Sequence, residues 1–318
     1  MSVSGPSSRL SVAASGDPRA TRWGSPEAAQ RVLGESLRQL RHDAGLTLRE
    51  VAEPLRGSEA KVSRLERGAG SPKERDIEDL IVFFRVPDEK AREIRALLRQ
   101  ARESPWWSQF SDVTPNYLRR LIGLEGSAAG IHTYENHVVP GLLQTEEYAR
   151  AVIRAALPQA GIKTVERKVR LRVSRQEVLQ SAQPPMVRAL LDEAILRRPV
   201  GDYGVMWRQL THLREVARRP SVRLRVVEFE QGTGRVPHYP ITRLHFGDGG
   251  PSELVYVEHL ESATYVTRPS ELERYRALLE EVGEAASGWE RTEELLTGAI
   301  EEYRRKDPGD RRARATAR

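Results

Sequence analysis

The chain has 318 residues and no cysteine. Its length allows two domains with substantial cores, and the missing thiols exclude a disulfide framework and thiolate metal sites. The net charge of +6 lies at the ends, in Arg9, Arg19 and Arg22 near the start and in Arg304, Arg305, Lys306, Arg311, Arg312, Arg314 and Arg318 near the finish. The body is close to neutral, so net charge locates no nucleic-acid footprint. No apolar run approaches the ~20 residues that span a bilayer. The Ser-, Gly- and Pro-rich start lacks the apolar core of a secretory leader. A cytoplasmic, nucleoid-associated protein with no membrane partner is expected.

Residues 1–28 are polar and without periodicity, which predicts a disordered segment. From about Glu27 a helix is predicted, with Leu33, Leu37, Leu40 and Ala44 on one face and Gly45 at its end. Leu46 to Gly68 then reads as two short helices joined by a tight turn. Thr47 and Glu50 form a capping box, and Leu46 and Val51 are placed to staple across it. Ser58 is a second N-cap, and Gly68 suits the left-handed residue that ends the following helix. In that second helix Val62 and Leu65 face one way, while Ala60, Lys61, Ser63 and Arg64 face another. A short helix with small and basic outer residues is what reading a DNA groove requires. Pro54, Arg56 and Gly57 crowd the turn and leave the register of residues 56–60 open. Ser71-Pro72-Lys73-Glu74 predicts a capping box with proline at the first helical position. It opens a helix with Ile77, Leu80, Ile81 and Phe84 on one face. Pro87-Asp88 opens a fifth helix, with Ala91, Ile94, Leu97, Leu98 and Ala101 inward. These five helices make one all-α domain over residues 29–103.

The stretch Leu46 to Gly68 resembles the helix-turn-helix of the lambda-repressor-like, xenobiotic-response-element (XRE) class of bacterial regulators. Ala52 matches the small residue where the two helices touch, and Val62 and Leu65 match the core of the recognition helix. Val62-Ser63-Arg64-Leu65-Glu66-x-Gly68 matches the closing pattern. Two positions depart: Arg56 stands where the class usually has glycine, and Gly57 where an apolar residue is common. The resemblance implies a double-stranded DNA operator as partner and a homodimer on a two-fold site. Thr47 and Arg49 would contact phosphate, through helix N-terminal amides and the guanidinium. Ser58, Glu59, Ala60 and Lys61 would meet base edges: Lys61 donating to guanine, Ala60 touching a thymine methyl, Glu59 accepting from cytosine. Ser63 and Arg64 would reach phosphate or the groove wall, and Arg64 is equally suited to an internal ion pair.

Residues 104–130 read as a connector. Ser104-Pro105 breaks the preceding helix, Trp106-Trp107 follows, and a helix is predicted over 116–129. The tryptophan pair is expected to anchor the two domains together, with ligand stacking as the alternative. Residues 131–303 have an α/β grammar. Strands are predicted over 131–139, 186–191, 222–229, 241–246 and 254–258, and helices over 145–157, 164–180, 203–217, 271–282 and 290–303. The β-α-β run over 186–229 requires a parallel pair with a right-handed crossover. Gly247-Asp248-Gly249-Gly250 predicts a hairpin. The fold class is therefore multidomain, an all-α head followed by a mixed sheet covered by helices. Arg167, Lys168, Arg170, Arg172 and Arg175 are expected on a solvated helix face with scattered ion pairs, contact with DNA or a partner being the alternative. Residues 304–318 are expected as a basic disordered tail.

This half carries Trp106-Trp107, Tyr134-Glu135, Val139-Pro140-Gly141-Leu142-Leu143-Gln144-Thr145-x-x-Tyr148-Ala149-Arg150, Arg175-Gln176, Leu191-Asp192-Glu193, Gln209-Leu210 and Val255-Tyr256-Val257-Glu258. In that order these motifs resemble a large actinobacterial family in which an N-terminal helix-turn-helix is fused to a domain of unknown function, often beside a gene for a small partner protein. The resemblance implies a developmental or antitoxin-like regulator and supplies no catalytic residues. Trp106, Trp107, Tyr134 and Glu135 are candidates for touching a ligand or partner.

Tests for catalysis find little. There is no His-Glu-x-x-His. His132 and His137 point to opposite faces of a strand, and Glu135 with His137 on one face is too few ligands for zinc. Gly232-Thr233-Gly234 lacks the third glycine and the helix of a dinucleotide turn. No phosphate-binding P-loop and no nucleophile elbow occur. Asp192, Glu193 and Glu258 are expected as caps and ion-pair partners. The reading is a non-enzymatic, cofactor-free DNA-binding transcription regulator whose second domain senses a small-molecule effector or a partner. The alternative is an antitoxin-like interaction protein that neutralises a small partner and autoregulates its operon.

Overall fold

The computed structural model describes residues 26–68, 72–103, 105–181, 183–232, 234, 236–247, 253–259 and 261–309. The head consists of α1 (Pro26–Asp43), α2 (Leu48–Ala52), α3 (Glu59–Glu66), α4 (Glu74–Phe83) and α5 (Asp88–Ala101). Each contributes one apolar stripe to a shared core: Leu33 and Leu37, Val51 and Ala52, Val62, Ile77 and Leu80, Ile94 and Leu97. Two details differ from expectation. Ala44 is exposed, beyond the end of α1. α4 begins only at Glu74, and its N-cap Lys73 makes no side-chain capping bond. The expected capping residue Ser71 lies outside the described residues.

The turn between α2 and α3 accommodates its unusual sequence by redistributing the usual roles. Leu55, rather than residue 57, supplies the buried apolar side chain. Arg56 adopts a left-handed backbone, φ 44. α2 ends before Pro54, so the proline interrupts no helix. A Cβ at Gly57 would lie 2.7 Å from Lys61 Cδ, so a side chain there would displace the Lys61 stem.

The second domain is built on a six-stranded sheet in the order β3-β2-β1-β4-β5-β6. The strands are β1 (Gly130–Glu135), β2 (Met186–Asp192), β3 (Val222–Val227), β4 (Ile241–His245), β5 (Glu253–Glu258) and β6 (Ala263–Val266). The β1-β2 and β2-β3 pairs are parallel and the other three are antiparallel. The helices are α6 (Asn116–Glu125), α7 (Glu146–Ala156), α8 (Ile162–Arg175), α9 (Ala194–Arg197), α10 (Tyr203–Val216), α11 (Pro269–Ala285) and α12 (Trp289–Lys306). Strand alternation divides the core. Ile131, Leu191, Leu224 and Leu244 join Met206 and Leu210 of α10 and Leu296 and Ile300 of α12 on one face. Tyr134, Leu190, Ile241 and Val255 meet Leu272, Leu279 and Val282 of α11 on the other.

Several boundaries move. β1 stops at Glu135, α6 stops at Glu125, and the helix predicted to Gln180 becomes α8 followed by a 3-10 turn from Gln176 to Gln180. β6 was not anticipated. Arg304, Arg305 and Lys306, expected in a disordered tail, are helical; residues 310–318 and 1–25 lie outside the described residues, and residues 26–28 belong to α1. The tryptophan pair does not join the domains. Trp106 and Trp107 lie in a 3-10 turn and pack with Phe110, with Ile122 of α6 and with Leu171 of α8. Head and body instead meet where the Arg31 guanidinium of α1 stacks 3.5 Å over the ring of Phe246, both residues being buried.

The motif from Val139 to Thr145 is a buried loop, and buried backbone must be paired. Side chains do the pairing. Gln144 Nε2 donates to Val139 C=O (2.7 Å), and Gln176 Nε2 donates to Gly141 C=O (3.1 Å) and Gln144 C=O (2.7 Å). Gln209 of α10 accepts from Thr145 N–H (2.6 Å) and donates to Leu143 C=O (2.8 Å). Gln209→Leu leaves both backbone groups unpaired in the core. It should lower unfolding free energy by about 3 kcal/mol, measured by urea denaturation.

Candidate nucleic-acid interface and a buried polar cluster

Caps and two ion pairs hold α3 in place. Ser58 Oγ accepts from Lys61 N–H at 3.3 Å. Arg41 of α1 binds Glu66 with two bonds, Nε to Oε1 at 2.7 Å and a terminal nitrogen to Oε2 at 2.9 Å, and also donates to Leu46 C=O at 3.1 Å. α1 approaches so closely that a Cβ on Gly34 would lie 2.6 Å from the carbonyl oxygens of Leu65 and Glu66. The ion pair raises the pKa of Arg41, chiefly through its hydrogen bonds to Glu66. Gly68 has the expected left-handed backbone, φ 60.

The predicted contact residues divide. Ser58, Glu59, Ala60 and Arg64 are exposed, Ser63 is half-buried beside them, and Arg49 is exposed at the start of α2. Arg64 forms no ion pair among the described residues, so its side chain remains on the outer face. Lys61 requires correction. Its ammonium turns inward to Asp76 Oδ1 of α4 (2.7 Å) and to Leu55 C=O (3.4 Å), which removes it from the groove-facing set. Thr47 also changes role: its N–H and hydroxyl both donate to Glu50 Oε2 at 2.7 Å, and the hydroxyl accepts from Glu50 N–H at 3.3 Å. These bonds hold the Glu50 carboxyl below its usual range. The capping box thus occupies the Thr47 amide, and the N–H groups of Leu48 and Arg49 are the remaining first-turn donors. Arg67, absent from the predicted set, is exposed at the end of α3. The Arg41–Glu66 pair was also missed, because 25 residues separate partners that only helix crossing brings together.

In the second domain Tyr134 and Glu135 separate, as consecutive strand residues must. Tyr134 is buried on the α11 face, where its hydroxyl donates to Asp192 Oδ2 at 3.3 Å. Glu135 lies on the α8 side, where burial and the nearby Glu258 carboxylate push its pKa up to about 8. Asp192 Oδ1 caps the Ala194 N–H at 2.8 Å, and Glu193 pairs with Arg197. His137 lies beyond the end of β1, exposed and bonded to Asn136, so it shares no strand face with Glu135. His132 sits between Arg188 and Arg243 in one cross-strand row. Burial and these arginines push its pKa down to about 4. Among the described residues no group of three or more His, Asp or Glu is arranged to hold a metal ion.

The Arg-rich helix is not a solvated face. Arg175 is bonded bidentately to Glu125 of α6 at 3.0 and 2.7 Å, with both side chains nearly buried. Arg172 donates to Gln144 Oε1 at 3.0 Å, and burial, reinforced by Arg175, lowers its pKa to about 10. Lys168 donates to Val113 C=O at 2.6 Å, and Arg167 bonds Gln109 C=O and Asp112. Only Arg170 of the five is exposed. The row of cations fastens residues 105–113 and α6 to α8.

A helical head with a capped helix-turn-helix, followed by a six-stranded mixed-sheet domain, defines a helix-turn-helix protein with an appended α/β domain. Residues 118–298, more than half of the chain, match the family described as Domain of unknown function (DUF5753), and the chain belongs to that family. Residues 32–94 match a helix-turn-helix domain. No curated protein and no solved structure matches the chain. No described helix is long and apolar enough to cross a membrane.

Lys61→Ala leaves Asp76 buried without its partner and should destabilise the head by about 2 kcal/mol, read from thermal or urea melts. A second expectation concerns pH. Glu135 titrates near 4.5 when unfolded and near 8 when folded, so the folded state holds the extra proton between them and stability falls as pH rises through that window. His132 works oppositely, because its lowered value gives the unfolded state the extra proton between about 4 and 6.5, where stability rises with pH. Between 6.5 and 8 only Glu135 of the two contributes. Glu135→Gln should flatten the decline in stability over that interval, measured by urea unfolding at several pH values.

Proposed function

We propose that this chain is a sequence-specific DNA-binding transcription regulator of the XRE class, acting in the cytoplasm as a homodimer on a two-fold operator, with no enzymatic activity. The carrying observation is the division of α3. Its inner side is fixed by Val62, Lys61–Asp76 and Arg41–Glu66, while Ser58, Glu59, Ala60 and Arg64 stand on an unobstructed outer face. A rigid helix with small, polar and cationic outer residues suits major-groove reading, Glu59 favouring specificity over affinity. Arg49, exposed at the start of α2, and Arg67, exposed after α3, are the candidates for phosphate contact. The second domain is read as a sensor that biases DNA binding through the Arg31–Phe246 junction. A tight one-to-one complex with a small protein encoded nearby would instead assign that domain to partner binding, as in the antitoxin-like reading.

Arg64→Ala should leave the melting temperature unchanged and weaken specific operator binding about tenfold or more, while non-specific binding falls less. Gel shifts on the protein's own promoter, with an unrelated fragment as control, make the measurement. Specific binding that survives in both Arg64→Ala and Glu59→Ala would remove α3 from the groove. Footprinting should give two half-sites about 34 Å apart.

A further inference from the structure

The second domain contains a small recess of about 50 Å³, walled by Val113, Leu118, Ile153 and Leu171 together with Lys168, Arg172 and Arg175. The three cations follow one face of α8, four and three residues apart. Their charges are not equally matched. Arg175 is neutralised by its two bonds to Glu125. Arg172 bonds a neutral amide, Gln144, and Lys168 bonds a backbone carbonyl, so neither has a hydrogen-bonded carboxylate among the described residues. A guanidinium offers five donors and an ammonium three, which leaves several for an occupant. Glu258, then Glu135 and Glu125, attract Arg172 without bonding it; burial keeps the Glu135 carboxyl largely protonated near neutrality, and Glu125 is already bonded to Arg175. The walls are otherwise aliphatic. Two cations with no bonded carboxylate, at one side of an apolar recess, suit an anion with a hydrocarbon body.

We propose that this recess binds a short aliphatic carboxylate, its carboxylate held by Arg172 and Lys168 and its chain lying against Val113, Leu118, Ile153 and Leu171. The recess is small, which limits the acid to a short chain, on the order of four carbons. The proposal rests on the sensor reading and gives it a ligand class. Leu118 lies on α6, which also packs against α1, so the occupant touches the element that adjoins the DNA-binding head.

The test titrates the full-length protein with sodium butanoate by calorimetry and thermal melting, with 1-butanol, sodium chloride and sodium phosphate as comparisons. Butanoate should saturate with a Kd below about 1 mM and raise the melting temperature, while the comparisons do neither. Arg172→Met should weaken butanoate about tenfold or more. Ile153→Phe keeps every charge and fills the recess, and should weaken it likewise, so the outcome does not depend on Arg172→Met folding. The proposal is overturned by an absence of saturable butanoate binding, by an equal response to butanol, chloride or phosphate, or by unchanged binding in Ile153→Phe. Operator gel shifts without acid are run in parallel: their failure sinks the DNA reading, and failure of the titration alone sinks only this one.

Discussion

One guanidinium organises the head. Arg41 joins α1, the entry to α2 and the last turn of α3 by binding Glu66 with two bonds and Leu46 C=O with a third. A buried charge must be matched closely or it costs more than it returns. Each of the three guanidinium nitrogens has a partner here, and together they tie the end of α3 to α1. Gly34 permits the approach, because any side chain there would meet the carbonyls that end α3. Lys61–Asp76 does at the start of α3 what Arg41–Glu66 does at its end. The exposed face can then be small and polar without being loose.

The second domain depends on the same economy of pairing, applied to backbone. The loop Val139 to Thr145 crosses the interior with only a short 3-10 turn, Gly141 to Leu143, and Gln144, Gln176 and Gln209 supply partners for its other backbone groups. The family motifs at Gln144-Thr145, Arg175-Gln176 and Gln209-Leu210 thus converge on one task. Arg175 adds the bond to Glu125 that holds α6 to α8. These residues pair the buried loop's backbone and tie its surroundings together.

Charge also links the two halves. Arg31 extends from α1, the helix that bears the Arg41 clamp, and stacks on Phe246 just beyond β4. Burial lowers its pKa to about 10. A cation withdrawn from water against an aromatic face is a specific contact. It places the second domain against the helix that carries the Arg41 clamp.

Sequence alone determined the helices of the head, because apolar spacing, Thr47, Ser58, Gly68 and Pro87 are local signals acting over one or two turns. It also determined the parallel pairing of β2 with β3 and the α/β character of the second half. Tertiary structure decided the rest. Lys61 and Arg64 look interchangeable as outer basic residues, yet Asp76, fifteen positions away, draws only Lys61 inward. In the turn, Leu55 is buried and Arg56 takes the left-handed backbone, an arrangement the local sequence left open. The cations of α8 resembled a solvated face because their partners Glu125, Gln144 and Val113 come from distant segments. β1 paired in parallel with β2, and Trp106-Trp107 packed within the body rather than between domains. Capping and periodicity are written within a few residues of the positions they control, whereas the direction of a long charged side chain is set by whichever opposite charge or open carbonyl the fold brings near.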